Sequence, residues 1–288
     1  MAVQATSKRL INLVRLRSFP IVQQLLLEER LLRTTQHNWC IINDGTQPPA
    51  IVMGISGEPH NLLHLHKVVQ DDVQVIKRFS GGGTVVVDEN TIFVTLICRE
   101  EAIEGLPLFP RPIMHWTEKF YNPVFKENPH FRLLEHDYVF GELKFGGNAQ
   151  SIIKDRWLHH TSFLWDFCDF RMSYLRIPKR APSYRAGRAH GDFICKLKDH
   201  FSSRSLFLKQ VEGALLLCFD IEEVALTDAS FDRNSYGHHE CHHHRFNRGG
   251  RYGFIAAMVV ATEVWKRRGW GGCVESFGKQ EEEQGGEQ

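Results

Sequence analysis

The chain lacks any long apolar run. Its best stretch, "GFIAAMVVATEVW", falls short of the roughly 20 residues a membrane-spanning helix needs and carries Glu263. It lacks an excess of charge of either sign: 35 Lys and Arg against 34 Asp and Glu leave a formal net charge of +1. No global basic field therefore points to nucleic acid, and any charge logic has to be local. It also lacks a C-x-x-C pair. Its 7 cysteines, Cys40, Cys98, Cys168, Cys195, Cys218, Cys241 and Cys273, are scattered, mostly among apolar neighbours. An odd, unpatterned set reads as reduced thiols of an intracellular protein, not as a disulfide framework. The first residues show no secretory pattern. Lys8, Arg9, Arg15 and Arg17 precede the first acid, Glu28, which reads either as an organelle-targeting pattern or as a first strand, "LINLVRLRS".

What is there is a core-forming chain. The 288 residues are 42% hydrophobic, enough for one large domain or one domain with an appendage. Helical periodicity marks "PIVQQLLLEERLLRT", "HNLLHLHKVVQDD", "IMHWTEKFYNPVFKE" and "SRSLFLKQVEGALLLCF". Strand patterns mark "LINLVRL", "WCIIND", "AIVMGIS", "VQVIKRF", "TVVVD", "TIFVTLICR", "HDYVF", "LKFGGNAQSIIK" and "RWLHHTSFLWDF", with "IEEVAL" as a last strand. Blocks of strands joined by short turns predict an α+β fold: a mixed, largely antiparallel sheet with flanking helices. The pattern predicts a domain over residues 1–228 and an irregular His- and Gly-rich tail over 229–288.

Two segments carry chemistry. In "VQVIKRFSGGGTVVVD", three glycines stand between a pair of β-branched runs, with Lys77 and Arg78 just before them. Glycine backbone can approach an anion and donate several N–H bonds, and Arg78 offers a fork for phosphate oxygens. The plain alternative is a flexible hairpin. Neither a Walker loop nor a dinucleotide fingerprint fits the spacing. In "GELKFGGNAQSIIKDRWLHHTSFLWDF", Lys144 sits in a strand beside the small residues Gly146, Gly147 and Ala149, a fixed positive charge next to approachable backbone. An isolated strand lysine is otherwise an edge residue.

Taken together, "R-x-S-G-G-G-x-V-x-x-D" (Arg78 to Asp88), "K-x-x-G-x-A" (Lys144 to Ala149) and "K-D-R-x-x-H-H" (Lys154 to His160) resemble the lipoate–protein ligase family, within the biotin/lipoate ligase and octanoyltransferase fold. The resemblance covers about residues 10–227. It implies a biotin/lipoate ligase catalytic-domain-like fold and activation of lipoate by ATP and Mg²⁺ to lipoyl-adenylate. The lipoyl group then passes to a lysine of an acceptor domain, on 2-oxoacid dehydrogenase E2 subunits or the glycine cleavage H protein. It implies that Arg78, Ser80, Gly81, Gly82, Gly83, Thr84, Val85 and Val86, with Gly147, Asn148 and Ala149, bind the nucleotide and acyl-adenylate. Lys144 is the implied catalytic residue, in contact with acyl carbonyl and phosphate. His160 and Arg185 are further candidates. A lipoylation role favours mitochondrion or plastid, with the cytoplasm also open.

The chain departs from that family at Phe79, at "HHTS", which lacks the glycine after the paired histidines, and in residues 229–288, which do not look like the accessory domain of full ligases. Two other readings stay open. One is an octanoyltransferase fed by an octanoyl-carrier protein, which needs a nucleophilic cysteine; Cys168 and Cys195 read instead as structural thiols. The other is a non-catalytic relative that binds lipoate or a lipoyl domain. No metal site is expected. Adjacent strand residues His159 and His160 face opposite ways, His60 and His64 lack an H-E-x-x-H pattern, and "HHECHHH" (238–244) lacks a scaffold.

Overall fold

Most of the apolar patterns fold with the period they show. The computed structural model describes residues 9–226. The elements run β1 (Arg9–Arg17), α1 (Ile21–Thr34), β2 (Trp39–Asp44), β3 (Ala50–Met53), α2 (Pro59–Leu62), α3 (Leu65–Gln70), β4 (Gln74–Lys77), β5 (Val85–Val87), β6 (Thr91–Arg99), α4 (Pro110–Tyr121), β7 (Phe131–Leu134), β8 (Asp137–Phe140), β9 (Leu143–Ile153), β10 (Arg156–Leu164), α5 (Asp169–Met172), α6 (His190–Phe193), α7 (Arg204–Cys218) and β11 (Phe219–Glu223). Eight strands form one sheet in the order β11-β1-β2-β6-β10-β9-β8-β7, and β4-β3-β5 form a second. In the larger sheet only the β11–β1 and β1–β2 pairs are parallel, so it is mixed and largely antiparallel, as the strand blocks predict.

The period of 2 gives the larger sheet two buried faces. One packs Ile11, Leu13, Val94, Leu96, Phe145, Trp157 and Phe163 against Ile113, Phe120 and Tyr121 of α4 and Phe207, Val211 and Leu215 of α7. The other packs Val14, Ile41, Ile97 and Leu158 against Leu27, Leu31 and Leu32 of α1. Ser203 caps α7, its hydroxyl accepting the Leu206 N–H at 3.1 Å.

Three expectations need correction, and one strand is added. The segment "HNLLHLHKVVQDD" is not one helix: it breaks at Leu63, which bridges to Leu175, so His60 and His64 do not share a helical face. Helix α4 stops at Tyr121, ahead of Pro123, whose missing N–H cannot continue it. Strand β7, in "FRLL", was hidden by its lack of alternation. The last strand is Phe219–Glu223, starting two residues earlier than "IEEVAL". The segment "LINLVRLRS" is a strand in the sheet. The expected boundary near residue 228 and the tail lie outside the described residues. Among the described residues no helix is long and apolar enough to cross a membrane.

A buried polar cluster fixes α1 to the sheet. Glu28 is fully buried; its Oε1 accepts Gln24 Nε2 at 2.8 Å and Thr95 Oγ1 at 2.7 Å, and its Oε2 lies 3.0 Å from His160 Nδ1. Burial alone would push this carboxyl up. The His160 charge and the three donors outweigh it and hold Glu28 below the usual carboxylate range. Arg156 secures the far end of α1, donating to Leu32 O at 3.1 Å and His37 O at 3.0 Å.

Glu28→Ala would leave three donors facing an apolar gap. We expect a loss of about 3 kcal/mol in urea unfolding. His159, on the other face, is fully buried, with Nδ1 3.0 Å from Gln150 Nε2, and burial pushes it down to about 3. Its folded value lies below its unfolded value, so its contribution is full above pH ~6.5 and is lost as pH falls toward ~3, at about 1.4 kcal/mol per unit. The urea midpoint should therefore fall between pH 7.5 and pH 5, and His159→Gln should remove some of that fall.

Candidate functional site

The glycine run is not a hairpin. Strands β4 and β5 pair with opposite edges of β3, one parallel and one antiparallel, so residues 78–84 must cross over the end of β3. Arg78 N donates to Met53 O at 2.9 Å and Ile55 N to Ser80 O at 3.0 Å, which ties the crossing down. There is no room for side chains at the crossing. A Cβ on Gly54 would lie 2.2 Å from Gly82 O, and one on Gly82, where φ is +115°, would lie 2.5 Å from Arg78 Nη2. Gly81 and Gly83 differ: a Cβ on either meets nothing within 4 Å.

Arg78 shapes this loop from inside. It is 5% exposed and donates to Gly81 O from Nη2 at 2.9 Å and to Gly83 O at 3.0 Å. Among the described residues no carboxylate forms an ion pair with it, and burial pushes it down to about 10. The hydroxyls of Ser80 and Thr84 are buried beside it with no hydrogen-bond partner. The loop thus presents a buried cation and two unsatisfied hydroxyls, a setting that suits an anionic, oxygen-rich ligand. Val85 and Val86 follow as the start of β5, with Val86 buried.

The second segment meets the first across Gly82, whose Cβ position is 3.4 Å from Asn148 O and 3.7 Å from the Ala149 Cβ. A register shift aims Lys144 at this junction. Tyr138 pairs with Gly146 but Val139 pairs with Lys144, so Phe145 is the extra residue of a bulge. Phe145 joins the aromatic core, while Lys144 turns to the face of Gly147, where its Nζ is 3.4 Å from the Cβ position. Lys144 is 22% exposed and pairs with Asp137 Oδ1 at 2.8 Å. The other Asp137 oxygen accepts the Tyr184 hydroxyl, also at 2.8 Å.

Residues 183–194 strap across this hairpin. The Glu135 carboxylate accepts Ser183 N at 2.7 Å and Tyr184 N at 3.3 Å. Arg188 donates to Glu142 O at 3.1 Å and to Tyr184 O at 2.8 Å. Arg185 is buried over the Phe193 ring, 4.7 Å from its centroid, with Nε donating to Arg188 O at 2.9 Å and Nη2 without a partner. His190, half-buried, is pushed down to about 4 by burial and by the charges of Arg185, Lys144 and His64, so it is neutral at pH 7.

The structure therefore gathers Arg78, Ser80, Gly81, Gly82, Gly83, Thr84, Lys144, Gly147 and Ala149 at one junction. His160 stands directly across from Ala149 on the neighbouring strand and bonds Glu28 of α1 through Nδ1, while the Asn148 side chain turns the opposite way, accepting Thr161 Oγ1 at 2.7 Å. Sequence reasoning passed over Asp137, Tyr184 and His190. An acid opening the apolar run "DYVF" is a signal for Asp137; nothing local marks Tyr184, which is 47 residues from its partner. Cys195 follows the bridge between Lys144 and Ile194, but its Sγ rests 3.6 Å from Leu143 O and burial pushes the thiol up to about 12. Among the described residues no group of three His, Cys, Asp or Glu is placed to hold a metal, and "HHECHHH" lies outside them.

Residues 20–220 match the family model of the lipoyl protein ligase A/B catalytic domain. A relative from Plasmodium falciparum (isolate 3D7), inactive lipoate–protein ligase 2, is 25% identical over 256 residues, covering 67% of this chain. The chain spans 66% of that relative's length. Among solved structures, lipoate-protein ligase A bound with ATP matches with a TM-score of 0.62 at 15% identity, over 78% of this chain and 92% of that one. A chain from a structural study of a bi-partite lipoate protein ligase and its E2 lipoyl domain from Thermoplasma acidophilum matches with a TM-score of 0.64 at 15% identity, over 78% and 89%. At such identities the likeness to the solved structures is one of fold.

The glycines should separate by substitution. Gly82→Ala has both a positive φ and a backbone-tight site against it, and should cost about 2 kcal/mol or more in thermal unfolding. Gly81→Ala and Gly83→Ala should leave stability unchanged or raise it by up to about 1 kcal/mol.

Proposed function

The chain belongs to the lipoyl protein ligase A/B catalytic-domain family, and we propose that its site moves a lipoyl group from lipoyl-adenylate to a lysine of an acceptor domain. The observation that carries this reading is the junction itself. A buried Arg78, ion-paired with no carboxylate among the described residues, and the orphan hydroxyls of Ser80 and Thr84 lie on one side of Gly82, and the β9 backbone that carries Lys144 lies on the other. Open space at Gly81 and Gly83 supports it further, because neither packing nor backbone angle demands glycine there. A ligand lying against that backbone supplies the demand.

The chemistry follows from charge. Attack of an amine on the mixed anhydride builds negative charge on the acyl oxygen and expels the nucleotide phosphate. A fixed ammonium and preorganised N–H donors stabilise both, and such stabilisation is often the largest catalytic term. Lys144 supplies the ammonium and the loop the donors; the substrate amine attacks directly, so no enzyme nucleophile is required. The raised Cys195 thiol favours this route over a cysteine-borne acyl group. ATP would be cradled by the Arg78–Val86 loop. Mg²⁺ is ordinarily held through substrate phosphates with one or two carboxylates, and its role would be to neutralise the phosphate charge. The acceptor would be a lipoyl domain of a 2-oxoacid dehydrogenase E2 subunit or the H protein.

A second reading, binding without turnover, is favoured by one observation: the Lys144 ammonium is engaged by the Asp137 carboxylate. Mass spectrometry of an apo lipoyl domain separates the two. One incubation holds lipoate, ATP and Mg²⁺, the other synthetic lipoyl-adenylate. We expect lipoylation with the adenylate, and a fall of about 10²–10³ in rate for Lys144→Ala. Adenylate uptake with no modified acceptor would establish the binding-only reading.

A further inference from the structure

The site lysine is not held by one partner but through a chain of two bonds. Asp137 is 6% exposed, so its carboxylate depends on protein donors. Among the described residues it has two: Lys144 Nζ on Oδ1 and the Tyr184 hydroxyl on Oδ2, each at 2.8 Å. Tyr184 belongs to the strap, and the strap is latched independently by Glu135 on Ser183 N and by Arg188 on Glu142 O. Its ring lies 5.2 Å from that of Phe193, so the phenol is aimed by packing as well as by its bond.

We propose that Tyr184 is a positioning residue for the site lysine: by occupying the second oxygen of Asp137, it sets how firmly that carboxylate holds Lys144. A ligand that draws Lys144 toward its carbonyl or phosphate oxygen must take it from Asp137. With Tyr184 in place, Asp137 keeps one donor when the lysine leaves, and its charge is already partly spent. Without the hydroxyl, the same carboxylate is left bare on release, and its whole attraction falls on Lys144. Burial, then the Asp137 charge, pushes the Tyr184 phenol well up, so it remains a donor across the working pH range.

The pull of an adenylate on Lys144 rests on the lipoyl-transfer reading, but the hold of Asp137 does not, and the two are measured separately. The first measurement is the rate at which trinitrobenzenesulfonate labels Lys144 in the full, ligand-free chain, followed peptide by peptide in the mass spectrometer. Tyr184→Phe keeps the ring and loses only the bond. It should slow Lys144 labelling several-fold, a part of the roughly 10–100-fold that one charge-assisted bond is worth. Asp137→Asn should speed labelling, and adding Tyr184→Phe to it should change the rate less than about twofold, because the charge that the phenol tempers is gone. Tyr174→Phe, whose hydroxyl bonds Asp71 instead, is the control and should leave Lys144 unmoved. Unchanged or faster labelling in Tyr184→Phe overturns the proposal, as does an equal effect with and without Asp137; a purely structural role would give one of these. The second measurement is calorimetric binding of a non-hydrolysable lipoyl-sulfamoyl-adenosine, expected to weaken about tenfold in Tyr184→Phe. If the unsubstituted chain binds none, the lipoyl-transfer reading fails, while the labelling cycle still decides the role of Tyr184.

Discussion

The site depends on a shortage of space. Two strands that flank the same neighbour can be joined only by crossing its end, and here the crossing backbone passes so close that Gly82 O stands where a Gly54 side chain would be. The loop's shape, the burial of Arg78 inside it and its contact with β9 all follow. Widening the crossing by one methyl would lift the loop from the strand, and with it the carbonyls that hold the guanidinium.

Two cations, one on each of the segments that meet at Gly82, are then kept in opposite electrostatic states. Arg78 is buried against carbonyls, ion-paired with no carboxylate among the described residues and raised only partly by the charge of Glu28, an arrangement that costs desolvation and is relieved by an anion. Lys144 is more exposed and has a carboxylate, so its charge is already balanced until something competes for it. The β9 bulge makes this second arrangement geometrically available. Were Phe145 paired as in a regular strand, alternation would put Lys144 and Gly147, three positions apart, on opposite faces.

Much of this was legible in the chain. Apolar patterning marked β1, α1, β6, β10 and α7, because those elements bury whole faces and tolerate few exceptions. Reading failed where local pattern and tertiary pairing disagree. The helix predicted across His60 to Asp72 is broken by a bridge from Leu63 to Leu175, a partner 112 positions away and invisible to periodicity. Arg156 sits in a motif that reads as belonging to a site, yet it serves α1, through the carbonyls of Leu32 and His37.

The sequence by itself determined the kind of fold, the two segments that carry the chemistry and the glycine type at the crossing, since hydrophobic period and missing side chains are local properties. Only the tertiary structure decided which glycines packing requires, which face Lys144 takes and which groups hold it. Those depend on strand order, on one bulge and on contacts between residues such as Asp137 and Tyr184 that no local pattern joins. The physical reason is range: propensity and period act over a few neighbours, whereas close approach and charge pairing act between whatever the folded chain brings together.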